Sequence, residues 1–228
     1  MNKIICTGDL HGDITRLFTL NEITKGTLTK NDLVIILGDF GVIWDGNTVM
    51  RKLEALGRLP FTVAFLDGNH ENFNLIKQME KIIEWNGARA GLLPCNIIHL
   101  LRGEIYEINN KRIGVCGGAD SVDKWWRTEG RSWWADEQIT DKDYNNFKTN
   151  LGENKTIDIM LSHDCPKEIV PIMKLYSGIN DGAITNSQRQ LARINFIADI
   201  KKWYFGHWHI DIPIDDKFQC MYYGMKEI

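Results

Sequence analysis

The chain has 228 residues, a length that suits one substantial hydrophobic core. Its 43% hydrophobic and 25% charged residues are typical of a soluble globular protein, and a net charge of −3 argues against a broad basic surface for duplex binding. No apolar run is long enough to span a bilayer, and the first residues lack the pattern of a signal peptide. Five scattered cysteines without a C-x-x-C pair indicate reduced thiols, so we expect a cytoplasmic protein.

Three apolar runs in the first third of the chain predict buried strands, at residues 3–7, 33–37 and 62–66. Each run ends in a polar turn that contains glycine. A helical pattern follows each turn, near residue 13, over about 47–57 and over about 72–84. This alternation predicts mostly parallel strands whose polar turns share one sheet edge, where ligands bind in open α/β sheets.

The second half of the chain mixes hairpin and α/β patterns. Further strands are predicted at 96–101, 104–108, 112–115, 157–161 and 203–205. Further helices are predicted at about 136–147, 166–173 and 187–199. No repeat, low-complexity tract or linker interrupts the chain, so residues 1–228 are expected to form one domain.

The motif Gly-His-Trp-His at residues 206–209 is the first indication of function. On extended backbone, His207 and His209 would point to one side and Trp208 to the other. Imidazole is the commonest metal ligand, so this pair could form half of a metal site. Five of the predicted strands end in possible ligands: Asp9, His11, Asp39, Asn69, His70, His163, His207 and His209. Such a set is too large for one tetrahedral ion and suits two divalent ions that share a carboxylate.

The ordered blocks G-D-x-H-G, G-D, G-N-H-E, a strand-end His and G-H-x-H resemble the calcineurin-like metallophosphoesterase superfamily, from residue 9 to residue 209. The resemblance implies an α/β fold, a two-sheet sandwich flanked by helices, with a dimetal site at the strand C-terminal ends. It also implies a ligand set: Asp9, His11 and His209 for one ion, Asn69, His163 and His207 for the other, and Asp39 as the bridge. His70 would face the substrate and assist the leaving-group oxygen, so that His70 and Asp39 are the expected catalytic residues.

These residues predict a hydrolase for phosphate mono- or diesters, in which a metal-bound hydroxide attacks phosphorus in line. Manganese is the first expectation for the two ions, and a mixed His, Asp and Asn site also accepts iron, zinc, magnesium or nickel. The expected substrate is a small phosphoester, a nucleotide or a dinucleoside polyphosphate rather than an extended nucleic acid. The sequence leaves monoester or diester preference and the oligomeric state open.

Three alternative functions are also considered. A Ser/Thr protein phosphatase is disfavoured because the second block, residues 38–43, lacks the second Asp and the Arg of G-D-x-x-D-R-G. A nuclease is disfavoured because the chain has no basic arm. A catalytically silent metal-binding scaffold is disfavoured because every expected ligand and His70 are present.

The tryptophan-rich segment, residues 119–137, carries four of the eight tryptophans and allows two interpretations. It is either a cap over the site, or a segment that its tryptophans anchor to the core. As a cap, Trp125 and Trp126 would stack on a base while Arg127 and Arg131 meet phosphate.

Four further residues are candidates for a role near the site. Glu71 and Asp164 either orient imidazoles or serve as a helix-start charge and a turn residue. Cys165 is expected to be a buried structural thiol, since no separate base remains to activate it. His99 lies in an apolar run and is expected to be a structural histidine.

Overall fold

Two mixed β-sheets form the centre of the protein in a computed structural model, which describes residues 2–46, 48–178 and 182–228. The first eight strands are β1 (Ile4–Thr7), β2 (Leu33–Leu37), β3 (Thr62–Leu66), β4 (Lys81–Trp85), β5 (Ala88–Leu93), β6 (Ile97–Leu100), β7 (Ile105–Ile108) and β8 (Lys111–Cys116). The remaining strands are β9 (Thr156–Ser162), β10 (Asp199–Phe205), β11 (Ile212–Pro213), β12 (Phe218–Cys220) and β13 (Met225–Glu227). The helices are α1 (Thr15–Ile23), α2 (Val49–Gly57), α3 (Phe73–Met79), α4 (Asp141–Leu151), α5 (Val170–Ser177) and α6 (Asn186–Ile197).

The sheet topology places several strand ends at a common edge. One sheet has the order β13-β1-β2-β3-β6-β5-β4 and the other β11-β12-β10-β9-β8-β7. Strands β1, β2, β3 and β6 pair in parallel, as do β8, β9, β10 and β12. Because parallel strands end at the same edge, the turns after these strands converge. The predicted two-sheet α/β sandwich is confirmed.

The core lies in three layers. Between the sheets, side chains such as Ile35 and Leu37 of β2 pack with Val115 of β8 and Leu161 of β9. Helices α1, α2 and α3 cover the outer face of the seven-stranded sheet, and α4, α5 and α6 cover the six-stranded sheet. Strand β2 is buried on both faces, which explains its uninterrupted apolar sequence.

The helix predicted over 72–84 was wrong in its second half. Helix α3 ends at Met79, and the chain continues as the hairpin of β4 and β5. Asn86 and Gly87 form its turn with φ of 49° and 79°. This Asn-Gly pair is the residue combination that a tight hairpin turn requires, and it outweighs the helical spacing of the preceding residues.

Several helices begin later than predicted. Helix α4 begins at Asp141 because Thr140 and Asp143 form a capping box there. Helix α5 begins at Val170 rather than at 166, with Pro171 in its first turn. Residue 47, the predicted start of the second helix, lies outside the described residues, and α2 is described from Val49.

No helix in the described parts of the chain is long and apolar enough to cross a membrane. The expected cytoplasmic location stays a prediction.

His99 belongs to a buried charge network and not to the set of predicted metal ligands. Its Nδ1 lies 2.8 Å from Glu80 Oε2 and its Nε2 lies 3.4 Å from Asp67 Oδ1. The guanidinium of Arg102 donates to the second oxygen of Asp67, with Nε at 2.8 Å. Two acidic and two basic side chains therefore neutralise one another beside β6.

The pH dependence of stability tests this network. Burial lowers the pKa of His99, but Asp67 and Glu80 outweigh it and raise the pKa from 6.5 to about 9. Because the pKa is higher in the folded protein, the interactions of protonated His99 contribute their full stabilisation below pH 6.5. This contribution is lost as pH rises through about 9. We expect the free energy of unfolding of the wild type to exceed that of His99→Gln most at pH 6. The excess should shrink by about 3 kcal/mol towards pH 9.5 in urea titrations. A difference that does not vary with pH would contradict the assignment.

Candidate metal centre

The turn after β1 brings Asp9 and His11 to the common sheet edge. Asp9 is 1% exposed, and its Oδ1 accepts a hydrogen bond from the backbone N–H of His207 at 3.0 Å. Its Oδ2 is buried and faces two imidazole nitrogens, His209 Nε2 at 3.1 Å and His11 Nε2 at 3.9 Å. Arg16 of α1 holds this turn by donating to the carbonyl of Asp9 at 3.0 Å. A buried carboxylate oxygen that faces two imidazoles fits a bound cation.

The turn after β2 places Asp39 between the other candidate ligands. Its Oδ1 accepts from the backbone N–H of His70 at 2.7 Å and lies 3.3 Å from His163 Nε2. Its Oδ2 lies 3.8 Å from His11 Nε2. Burial alone would raise the pKa of Asp39, but the imidazoles, His163 foremost, hold it well below its usual range. This central carboxylate is in the position that a bridging ligand needs.

Two glycines of the motif blocks make this close approach possible. A Cβ at Gly68 would overlap the carboxylate of Asp39 and crowd the ring of His163. A Cβ at Gly206 would overlap the carboxylate of Asp9. Both positions therefore need a residue without a side chain, which explains the glycine that precedes each polar cluster.

A hydrogen bond to a backbone carbonyl fixes the orientation of the His163 ring. Its Nδ1 donates to the carbonyl of Leu37 at 2.8 Å, so that in the neutral ring Nε2 carries a lone pair. Nε2 lies 3.2 Å from Asn69 Oδ1 as well as beside Asp39. With the ring neutral, Nε2 would be a lone-pair-bearing atom beside these two oxygens, an arrangement that a cation between them would stabilise.

The backbone of the Gly-His-Trp-His motif is not extended, so the prediction that both histidines point to the same side was wrong. His207 and His209 have φ of 70° and 52°. The rings diverge: His207 lies 4.9 Å from the ring of His163, and His209 lies 5.0 Å from the ring of His11. Trp208 is buried and donates through Nε1 to Asp164 at 3.0 Å. Left-handed backbone at both histidines, with the tryptophan as an anchor, sends each ring to a different part of the site.

The donor set fits two divalent ions. Ligand atoms of Asp9, His11 and His209 lie within 4.8 Å of one another, as do those of Asp9, Asp39 and His163. His209 Nε2 is 2.9 Å from His11 Nε2 and 3.1 Å from Asp9 Oδ2. All seven expected ligands lie at this edge. Carboxylate, imidazole and amide donors together suit manganese, iron or zinc.

His70 faces open space beside these residues. Its ring lies 5.1 Å from the ring of His11, and its Nε2 is 3.4 Å from Arg127 Nη2. Burial lowers the pKa of His70, Asp39 opposes this, and Arg127 adds to the lowering. Burial and the nearby guanidinium thus both disfavour the charged form of the ring.

Two cavities of similar size meet at His70. One, of about 310 Å³, extends past Arg127 and Asp123 to Lys174 of α5 and Thr185. The other, also about 310 Å³, lies towards α2 and is lined by His11, Trp44, Thr48 and Lys52 among others. The predicted metal-binding edge is thus reached from two sides.

The anchoring interpretation describes one part of the tryptophan-rich segment, and the cap interpretation stays a prediction. Trp134 is buried and meets Trp44 edge-on at 5.5 Å, so it anchors the segment. Trp125 and Trp126 are 72% and 76% exposed and stack on each other at 4.2 Å.

The two predicted phosphate-binding arginines occupy different places. Arg127 lines the first cavity and is paired with Asp123 at 2.7 Å. Arg131 is exposed, and it is not among the described residues that line these two cavities.

Among the described residues, neither Glu71 nor Asp164 accepts a hydrogen bond from an imidazole. Glu71 accepts from the backbone N–H of Phe40 at 2.7 Å and of Gly41 at 3.2 Å, so it holds the turn that carries Asp39. Asp164 accepts from Trp208 and from Gln188. Cys165 is fully buried, and burial raises the pKa of its thiol far above the usual value, which agrees with a structural role.

Sequence reasoning missed the residues that support the ligands from a distance. Arg16 is one, since it ties Asp9 to the carbonyl of Tyr222. Ser121 and Glu137 are others, since Ser121 contacts Asn69 and Glu137 contacts Ser121. No local pattern marks these residues, because the contacts of Arg16 with Tyr222 and of Ser121 with Asn69 join distant parts of the chain.

Comparisons with known proteins identify a matching family and several relatives. A family model described as calcineurin-like phosphoesterase matches residues 2–211. The lariat debranching enzyme of Saccharomyces cerevisiae is 26% identical, over 74% of this chain and 45% of that protein. The lariat debranching enzyme of Entamoeba histolytica is 26% identical, over 95% of this chain and 66% of that protein. The chain therefore spans between about half and two thirds of the length of these relatives.

Among solved structures, a crystal structure from Thermus thermophilus matches 90% of this chain and 81% of its own. The two are 14% identical and superpose with a TM-score of 0.44, too distant to support a functional statement.

Proposed function

We propose that this chain, which belongs to the calcineurin-like phosphoesterase family, is a metal-dependent hydrolase that cleaves phosphodiesters with two divalent ions. The family match supports the reaction class. The two cavities that meet at His70 support the diester, and this is the observation that carries the proposal.

The proposed ligands are those that the motif blocks of the family imply. Asp9, His11 and His209 would hold one ion, Asn69, His163 and His207 would hold the other, and Asp39 would contribute to both. The chemistry that two such ions supply when bound is activation of water at neutral pH and neutralisation of phosphate charge. Manganese is the proposed ion. Iron, zinc, magnesium and nickel are the alternatives, since a mixed site of imidazole and oxygen ligands also accepts them.

Shape and charge at the cleft favour a diester. A diester has two ester groups on either side of phosphorus, and a cavity lies on either side of His70. A monoester needs one cavity and brings close to two negative charges. The charge of Arg127 is already partly neutralised by Asp123, and Asp120 lies in the same lining. A singly charged diester is therefore the better match.

His70 is proposed to assist the leaving-group oxygen. His70 lines both cavities, and its backbone N–H donates a hydrogen bond to Asp39. The ring is thus held in fixed relation to the central carboxylate. At this position the imidazole supplies a hydrogen bond or a proton to an alkoxide as it leaves.

We further propose that the substrate carries a nucleoside. The exposed stacked pair Trp125 and Trp126 directly precedes Arg127, which lines the first cavity, and we assign the base to these rings and the phosphate to the guanidinium. Arg131 would meet only a substrate that extends beyond these rings. Since relatives are named lariat debranching enzymes, the proposed range includes branched molecules as well as small dinucleotides.

Paired chromogenic substrates test this function. Metal-stripped protein re-supplied with manganese is expected to hydrolyse bis-p-nitrophenyl phosphate faster than p-nitrophenyl phosphate, and neither without metal. Both substrates release the same phenol, so the ratio of kcat/KM reports the difference between diester and monoester. A faster monoester reaction would contradict the diester assignment, and equal rates with and without metal would contradict the proposed centre.

A further inference from the structure

The carboxamide of Asn69 must be oriented for its proposed role. Only its oxygen can ligate an ion, and the NH₂ group at the other end would repel one. Asn69 is 6% exposed, with Oδ1 at 3.2 Å from His163 Nε2 and Nδ2 donating to Ser121 Oγ at 3.1 Å. The contact with Ser121 therefore decides which end of the amide faces the centre.

Ser121 can accept from Asn69 because its own proton is used elsewhere. The side chain is buried, and its hydroxyl donates to Glu137 Oε2 at 2.8 Å. Its backbone N–H donates to the other oxygen of Glu137 at 2.6 Å. With the hydroxyl proton directed at Glu137, lone pairs of Oγ face Asn69, and only an NH₂ group satisfies them.

Glu137 is the fixed end of this chain of hydrogen bonds. Its residue exposure is 0%, and both carboxylate oxygens accept from Ser121. Its backbone carbonyl accepts from Arg102 at 3.1 Å. Burying a carboxylate is costly, and this one is placed where it sets the direction of a serine hydroxyl.

We propose that Ser121 and Glu137 are positioning residues that turn the Oδ1 of Asn69 towards His163 and Asp39, an inference that rests on the proposed function. The Asn69 amide donates to the Ser121 hydroxyl, and this hydroxyl donates to the Glu137 carboxylate. Both positioning residues belong to the tryptophan-rich segment, so this segment supports one half of the metal centre in addition to bordering the cleft.

Two variants break the chain of hydrogen bonds in different ways. In Glu137→Gln, the amide oxygen of the new side chain still accepts from the backbone N–H of Ser121. Its NH₂ group, however, donates to Ser121 Oγ and turns the serine hydroxyl proton towards Asn69. The amide of Asn69 would then present its NH₂ group to the centre. Ser121→Ala removes the contact, Ser121→Thr keeps the hydroxyl, and Glu129→Gln is a control at an exposed glutamate of the same segment.

Manganese binding to metal-free protein is the measurement, by titration calorimetry with metal content determined by mass spectrometry. Binding of the first equivalent should be unchanged. Binding of the second should weaken by about 10- to 100-fold in Glu137→Gln and Ser121→Ala. Ser121→Thr and Glu129→Gln should bind both equivalents as the wild type does.

The outcomes separate the inference from its premise. Wild-type uptake of fewer than two ions would overturn the proposed centre and this inference with it. Two ions in the wild type and unchanged affinities in both variants would overturn the inference alone. Equal loss of both equivalents in Ser121→Ala would also overturn it, since that result indicates general structural damage. If Glu137→Gln does not fold, Ser121→Ala decides.

Discussion

Substitution of Asp39 by Asn is expected to lower kcat for manganese-dependent hydrolysis by about 10³-fold. Asp39 contacts His163 through one oxygen and approaches His11 through the other. An amide has one oxygen and no charge, so it can serve only one side, and its NH₂ group would face an imidazole or an ion on the other side. We therefore expect this variant to retain fewer than two manganese ions.

The measurement is kcat with bis-p-nitrophenyl phosphate, together with the manganese content of each protein. Asp136→Asn is the matched control, because that carboxylate is on the surface and pairs with Lys77. Exposed ion pairs contribute little to stability, so the control should keep full activity and metal content. Wild-type turnover in Asp39→Asn would refute the bridging role and with it the proposed ligand set.

Substitution of His70 by Asn is expected to lower kcat by about 10²- to 10⁴-fold while both ions remain bound. The backbone N–H that donates to Asp39 is kept, so the central carboxylate should stay in place. What is lost is the ring that faces both cavities. Removing a proton donor or charge stabiliser affects the transition state most, so kcat should fall more than KM changes.

The dependence on leaving group distinguishes the possible roles of His70. p-Nitrophenolate leaves without protonation, whereas a nucleoside alkoxide needs a proton or a strong hydrogen bond. The loss in His70→Asn should therefore be larger for a dinucleotide than for bis-p-nitrophenyl phosphate. An equal loss for both substrates would point to phosphate positioning, and loss of an ion would make His70 a ligand.

The local elements that position the site were accessible from sequence. Residues 33–37 and 62–66 were predicted as strands and coincide with β2 and β3. Both are short apolar runs that end in glycine turns, and both are buried centrally. The hairpin of β4 and β5 was missed because its first strand is amphipathic and lies at a sheet edge, where a helical pattern competes with the Asn-Gly turn.

What the sequence determined by itself is the chemistry of the site: carboxylates, imidazoles and an amide, each following a strand whose apolar run marks its end. Strand order and parallel pairing then bring those ends together, and this follows from α/β alternation.

What only the tertiary structure decided is how each group is aimed. Left-handed backbone at His207 and His209 sends their rings apart, and Trp208 reaches Asp164 to hold them there. Ser121 and Glu137 turn the amide of Asn69 from positions 52 and more residues away. Such contacts depend on packing between remote segments, and packing leaves no periodic signal in either segment.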